Sequence, residues 1–345
     1  MEGDWAIIVG VKDYLDESLN TLEGPISDAQ TFRNWLVRRE GGDISDPSRI
    51  RLVKSSGPPR RPSSARPTSD DIFGTGQDII ASLSARREKG RRLYIYMSGH
   101  GCTPLSAERA ESVSLLTANA QTTGLLCNFP ATACARFMRR GGHFGEVILI
   151  MDCCRSESEN AFTVPYYQVL GDKTQGGVLV EAYATGYDSQ AHEFSYPPAA
   201  GKRGAFTRAV ITCLEAGKIT THQLKESVEH LVEKDLLSKG LSKDAVVKRQ
   251  PVVRGDPDLT KVWLSEAARP ARTRISIRRD GGMPEPQIFR RTDFPQTPVQ
   301  KQADDDLDPW RWLLEPGEYG LTIGSKSTTF RVYVGSPGEI EPWAN

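Results

Sequence analysis

Val147-Ile148-Leu149-Ile150-Met151-Asp152-Cys153-Cys154-Arg155-Ser156 is the stretch on which the fold of this 345-residue chain turns. Its five consecutive apolar residues, β-branched ones among them, predict a strand buried on both faces, as in a parallel sheet. The run stops at a carboxylate and two thiols. The carboxyl ends of parallel strands face the crevice where open α/β sheets bind ligands. Upstream, Leu93-Tyr94-Ile95-Tyr96-Met97 makes a second such strand and ends in Ser98-Gly99-His100-Gly101. One strand delivers an imidazole and another a thiol, with His100 lying 54 residues before Cys154. A cysteine nucleophile with its histidine about fifty residues upstream is a known catalytic spacing.

Outward from these two strands, elements alternate. Ala6 to Val11 predicts a first strand. Ser27 is expected to open a helix, with Gln30 completing a capping box and Ala29, Phe32, Trp35 and Leu36 as the apolar stripe. Ile50 to Val53 predicts a short strand, and Ser55 to Thr68, rich in Pro, Ser and Arg, an exposed mobile loop. Ser69 is expected to cap the next helix. Between the two key strands the pattern weakens, with a short strand at Val113 to Leu116 and a helix from Ala133 to Arg140. After Cys154, the polar stretch Glu157 to Gly177 predicts a loop beside the thiol. A strand at Val178 to Ala184, a loop from Gly186 to Gly204, helices at Ala205 to Leu214 and Thr221 to Leu237, and strands at Pro251 to Val253 and Val262 to Leu264 follow. Such alternation predicts an α/β sandwich with a mostly parallel sheet. Beyond a linker, period-two segments punctuated by Pro and Gly predict a small antiparallel β domain. The expected division is 1–265 and 272–345.

Composition excludes several classes. Formal net charge is zero, so no global field draws the chain to nucleic acid or membrane. No apolar run reaches the length of a membrane span and no secretory signal is legible. Cys102, Cys127, Cys134, Cys153, Cys154 and Cys213 suggest neither a disulfide framework nor the paired spacing of a zinc site, and a reducing cytoplasm is the expected compartment.

A thiol attacks a carbonyl well only as thiolate, and a nearby histidine can hold its proton and pass it to a leaving amine. The oxyanion needs fixed donors. Gly101, without a Cβ, lets a carbonyl approach its N–H, and the N–H of Cys154 is the natural second donor. Asp152 points into the same crevice, and Asp28 begins the first helix near the end of the first strand.

Ser98-Gly99-His100-Gly101 with Asp152-Cys153-Cys154-Arg155-Ser156 resembles the caspase fold, in its metacaspase-like, bacterial branch. Trp5 to Val11 with Asp13-Tyr14, Leu22-Glu23-Gly24-Pro25-Ile26-Ser27-Asp28-Ala29 and Gly204-Ala205-Phe206-Thr207 support the resemblance, which covers roughly residues 4 to 265. It implies a caspase-like three-layer sandwich and cysteine endopeptidase activity through a His100/Cys154 dyad. Cys154 matches the family nucleophile, Cys153 the small position before it, and Glu157 stands where the family has Gly. In metacaspase-like relatives the acids matching Asp28 and Asp152 line a pocket that selects Arg or Lys, and two carboxylates in one pocket suit a guanidinium. Ser98 adds a hydroxyl there. The arginines with which animal caspases hold Asp have no match here.

Many metacaspases need calcium, but only Glu108 and Glu111 follow His100, so no metal or other cofactor is expected. The expected partners are protein substrates and an upstream activating protease or regulatory protein, with the chain itself a monomer. Candidate processing sites are Arg155 and Lys173 beside the thiol, then Arg61 and Arg203. Bacterial relatives with an appended small domain resemble parts of defence or stress systems. The competing expectation is an inactive caspase-like scaffold that binds a partner through its β domain.

Overall fold

The computed structural model describes residues 3–104, 112–158, 161, 177–196, 201–256, 264, 272–277, 284–291, 298–299, 309–334 and 338–340. In chain order the first part runs β1 (Asp4–Gly10), α1 (Pro25–Val37), β2 (Ile50–Lys54), α2 (Ser69–Arg86), β3 (Gly90–Ser98), β4 (Gly101–Pro104), β5 (Ser114–Leu116), β6 (Asn128–Phe129), α3 (Ala131–Arg140) and β7 (Phe144–Asp152). It continues with β8 (Ser156–Ser158), β9 (Val178–Tyr183), β10 (Glu193–Ser195), β11 (Lys202–Gly204), α4 (Ala205–Glu215), α5 (Thr221–Ser238), α6 (Lys243–Lys248) and β12 (Val252–Asp256). The smaller part holds β13 (Thr273–Ile277), β14 (Gln287–Arg290), β15 (Trp310–Leu314), β16 (Gly317–Ile323), β17 (Lys326–Val332) and β18 (Gly338–Ile340).

The central sheet has the order β12-β9-β7-β3-β1-β2. Every neighbouring pair is parallel except β12 with β9. Strand side chains alternate between faces, and both faces are covered, so the apolar runs are continuous rather than alternating. Ala6, Ile8, Tyr94, Tyr96, Ile148 and Ile150 pack with α1, α4 and α5. Ile7, Val9, Ile95, Met97, Leu149 and Met151 pack with α2 and α3 on the other face. This is a three-layer α/β sandwich, as the sequence predicts. On the first face, Phe32 of α1 stacks on Tyr96 with ring centroids 4.8 Å apart. Truncating so buried an aromatic costs about 3–5 kcal/mol.

Several local expectations are corrected. Helix α1 starts at Pro25, not Ser27, with Gly24 as N-cap and no side-chain cap. Proline supplies the helical φ at a position whose N–H needs no partner, while the Ser27 hydroxyl bonds back to the Gly24 carbonyl at 2.8 Å. Thr68, rather than Ser69, caps α2, in a reciprocal box with Asp71. The segment 55–68 is pinned at its far end, where Ala65 is buried and the Pro67 carbonyl accepts from Ala118 N–H at 2.9 Å. Strand β3 ends at Ser98, so His100 lies on the link to β4 rather than on the strand. The stretch from Gly186 to Gly204 contains the antiparallel hairpin β10–β11, and α6 has no counterpart in the expected elements.

The C-terminal part has its own core, with Ile275, Ile277, Ile288, Trp310, Trp312 and Leu321 buried together. Its sheets are β15-β13-β18 and β14-β16-β17. All described pairings are antiparallel except β13 with β18. The two parts are knitted together. Val334 is wholly buried in the α1/α4/α5 core, its N–H donates to Ser227 Oγ at 3.0 Å, and His230 stacks on Tyr333 at 4.2 Å. Among the described residues no helix is long and apolar enough to cross a membrane.

Candidate active site

Strands β1, β3 and β7 end level with one another: Gly10 is the register partner of Ser98, and Ser98 of Asp152. A cavity of about 380 Å³ opens above these ends, and Ser98, His100, Gly101, Asp152 and Cys154 all line it. Residues far apart in the chain are brought together because parallel strands share one carboxyl edge.

His100 is held from two sides. Its backbone N–H donates to Tyr14 Oη at 2.7 Å, and the Tyr14 hydroxyl donates to the Val11 carbonyl at 3.1 Å. The intervening Gly99 has φ +154°, and a Cβ there would sit 2.8 Å from Tyr14 Oη. The imidazole Nε2 lies 2.8 Å from the Asn20 carbonyl. A carbonyl can only accept, so Nε2 carries the proton and Nδ1 keeps the free lone pair. Burial pushes the His100 pKa down, against the opposing pull of the Asn20 bond. The ring is therefore neutral at neutral pH, the state a general base requires.

The Cys154 thiol is half-buried and accepts from Ala191 N–H at 3.4 Å. Burial pushes its pKa up, and the nearby Asp152 and Glu193 charges add to this, partly offset by the Ala191 bond. A thiol so placed rests protonated and needs a base at the moment of attack. Cys153 is buried, and burial pushes its pKa well above the usual thiol value. A Cβ on Gly101 would lie 2.5 Å from Cys153 Sγ and 2.6 Å from the Cys154 carbonyl oxygen. Gly101 is thus required by close packing of the nucleophile turn, a reason the sequence does not show.

Of the acids, Asp152 lines the same cavity, whereas Asp28 lies behind its wall. Asp152 Oδ2 accepts from Thr207 N–H at 3.0 Å and from its hydroxyl at 2.6 Å. Asp28 Oδ2 accepts from Gly204 N–H at 2.8 Å, and Oδ1 lies 3.3 Å from Arg203 Nε. A third carboxylate was not foreseen. Glu193, on β10, lines the cavity and accepts from the N–H groups of Glu23 and Gly24 at 3.1 and 2.9 Å. Two glycines let the acids approach: a Cβ on Gly24 would sit 2.7 Å from Glu193 Oε1 and 2.9 Å from Asp28 Oδ2, and one on Gly204 only 1.9 Å from Asp152 Oδ2. Burial, then the charge of Asp152, pushes Asp28 up to about 8. Burial, reinforced by Glu193 and opposed by the Thr207 bonds, pushes Asp152 up to about 6. Ser98 is buried beside them.

The candidate processing residues are scattered. Arg155 is buried, with its N–H bonded to the Ser189 carbonyl at 3.0 Å and its guanidinium over the Tyr183 ring. Arg61 is exposed, Arg203 is half-buried against Asp28, and Lys173 lies outside the described residues. Among the described residues no group of three or more His, Cys, Asp and Glu side chains is placed to hold a metal ion. Glu108 and Glu111 lie outside that set.

Residues 4–255 match the model of the caspase domain peptidase family, and the chain belongs to that family. A "Probable protease" from a Desulfuromonadales bacterium is 27% identical over 257 residues, which are 72% of this chain and 30% of the relative. The chain thus spans less than a third of that relative's length. Among solved structures, a protein from Geobacter sulfurreducens matches at 11% identity with a TM-score of 0.46, covering 76% of this chain and 98% of that one. Caspase-1 from Spodoptera frugiperda matches at 10% identity with a TM-score of 0.44, covering 76% of this chain and 90% of that one.

Proposed function

We propose that the chain is a cysteine endopeptidase that cuts proteins after Arg or Lys, with Cys154 as nucleophile and His100 as base. One observation carries this reading: Asp152 and Glu193 line the cavity that also presents His100 and Cys154, with Asp28 buried just behind Gly24 and Gly204. Asp28 and Asp152, pushed up by burial, regain their charge when a cation arrives, so the pocket rewards a guanidinium or ammonium and rejects an acidic side chain.

In the first step Nδ1 of His100 takes the Cys154 proton as Sγ bonds to the scissile carbonyl carbon. The C=O π pair moves onto oxygen, and the N–H groups of Cys154 and Gly101 are the proposed donors to it. Collapse expels the amine, which takes the proton from the imidazolium, and leaves a thioester. A water deprotonated by His100 then adds to the thioester, Cys154 leaves as thiolate and is reprotonated, and the acid product departs. The Nε2 bond to Asn20 keeps the correct tautomer throughout.

Regulation is assigned to the stretch from Glu157 to Gly177, which begins three residues past the nucleophile. Cleavage there, at Lys173 or by an upstream protease, is the proposed activating event. The same proposal takes the enzyme as cytoplasmic, monomeric and without cofactor, and the family resemblance supports a place in a bacterial defence or stress system. Fluorogenic peptides differing only in the residue before the cut, tested on wild type and Cys154→Ala, check the core of the proposal. Cleavage confined to Arg and Lys peptides and absent in the variant is expected, and efficient cleavage after Asp would refute it.

A further inference from the structure

Arg203 stands in the sequence as half of a Lys-Arg cutting site, but its side chain is engaged with the acidic pocket. Its Nε lies 3.3 Å from Asp28 Oδ1, and its Nη2 donates to Thr31 Oγ1, one turn further along α1. The next residue, Gly204, donates its N–H to the other oxygen of Asp28 at 2.8 Å. Two further ties join the same hairpin to the head of α1: Lys202 Nζ to Glu23 at 2.9 Å, and Glu193 to the N–H groups of Glu23 and Gly24. Asp28 has no exposed surface, and both of its oxygens are taken.

We propose that Arg203 is a specificity-determining positioning residue, a resident cation that ties Asp28 to the β10–β11 hairpin and keeps the hairpin seated, leaving Asp152 and Glu193 to meet the substrate's cation. The proposal rests on the reading of the pocket as selective for Arg or Lys. The charged and titratable groups facing Asp28 are Arg203 from β11, Asp152 from β7, Glu193 from β10 and the Tyr96 phenol from β3. Arg203 is the sole cation among these four. Burial, then the charge of Asp152, drives Asp28 upward even with Arg203 in place, so removing Arg203 takes away an opposing pull together with the ties to Asp28 and Thr31, and the hold on the pocket weakens. A consequence follows for processing: a cut at Arg203 would unseat the hairpin and switch the enzyme off rather than on.

The test compares Arg203→Gln and Arg203→Lys with wild type. For an Arg-ended peptide, Arg203→Gln is expected to raise KM about tenfold at pH 7 with little change in kcat, the loss shrinking as the pH rises toward 9, while Arg203→Lys stays close to wild type. A residue that only supports the fold would lower kcat/KM by one factor at every pH in both variants, and that result, or tighter binding in Arg203→Gln, overturns the proposal. Hydrogen exchange over residues 201–207 reads the lock without substrate: the Gly204 amide should lose protection in Arg203→Gln and keep it in Arg203→Lys. Unchanged protection in Arg203→Gln overturns the proposal. Failure of wild type to cleave after Arg would instead strike the basic-specificity reading alone, and the exchange comparison would still decide the role of Arg203.

Discussion

Replacing Gly204 by Ala adds one methyl group at the tightest point of the acidic pocket. The new Cβ would lie 1.9 Å from Asp152 Oδ2 and 2.8 Å from its Cγ, far inside van der Waals contact. Asp152 is not the free end of a flexible chain, because the same oxygen accepts two bonds from Thr207. Either those bonds break or the hairpin backs away from the β7 end. Hydrogen bonds to a charged group are worth about 1.5–3 kcal/mol each, and overpacking a tight site costs about 1–3 kcal/mol. Loss of one bond at about 2 kcal/mol corresponds to a fall of about 30-fold in kcat/KM for an Arg-ended peptide. The assay pairs those kinetics with thermal unfolding, using Gly74→Ala as the control, since a Cβ there meets nothing within 4 Å. Gly204→Ala with wild-type kcat/KM would refute the idea that the Asp152–Gly204 contact shapes the pocket.

Further outcomes follow from the same geometry. His100→Ala should abolish peptide cleavage with the fold intact by circular dichroism, whereas Cys153→Ser should keep substantial activity and lose stability by about 1–3 kcal/mol, the cost of a buried hydroxyl without a partner. Tyr14→Phe removes the hydroxyl that links His100 N–H to the Val11 carbonyl, and should lower kcat about tenfold with KM little changed, as read by steady-state kinetics. Raised carboxyl pKa values mean that negative charge is lost as pH falls through about 8 for Asp28 and about 6 for Asp152, not near 4 as for exposed acids. The kcat/KM for Arg peptides should therefore decline on the acid side within that window, and Asp152→Asn should shift or flatten this limb in a pH–rate profile.

The parallel sheet was legible because its strands are buried on both faces: Leu93 to Met97 and Val147 to Met151 leave no polar residue to confuse the period. The positions of His100 and Cys154 at one edge follow from that topology alone. Glu193 was not legible. It sits in a polar stretch between two elements, and only the hairpin partner Gly204 and the donors from the head of α1 bring it to the cavity. The glycines were visible but their reasons were not, because Gly101 answers to Cys153 and Gly204 to Asp152, contacts that exist only after folding. Helix starts were misplaced by one or two residues where Pro25 or Thr68 took a role given to a nearby serine. The interlock of Val334 with α5 was equally hidden, since a lone valine after a strand carries no long-range signal.

The central claim is that Cys154, and not Cys153, attacks a carbonyl delivered by a basic side chain. An arginyl chloromethyl ketone tests it in one measurement, by mass spectrometry of peptides from the labelled protein. A single adduct on Cys154, absent in His100→Ala and suppressed by an excess of Arg-ended peptide, is the predicted result. An adduct on Cys153, or faster labelling by the aspartyl reagent, would contradict the account.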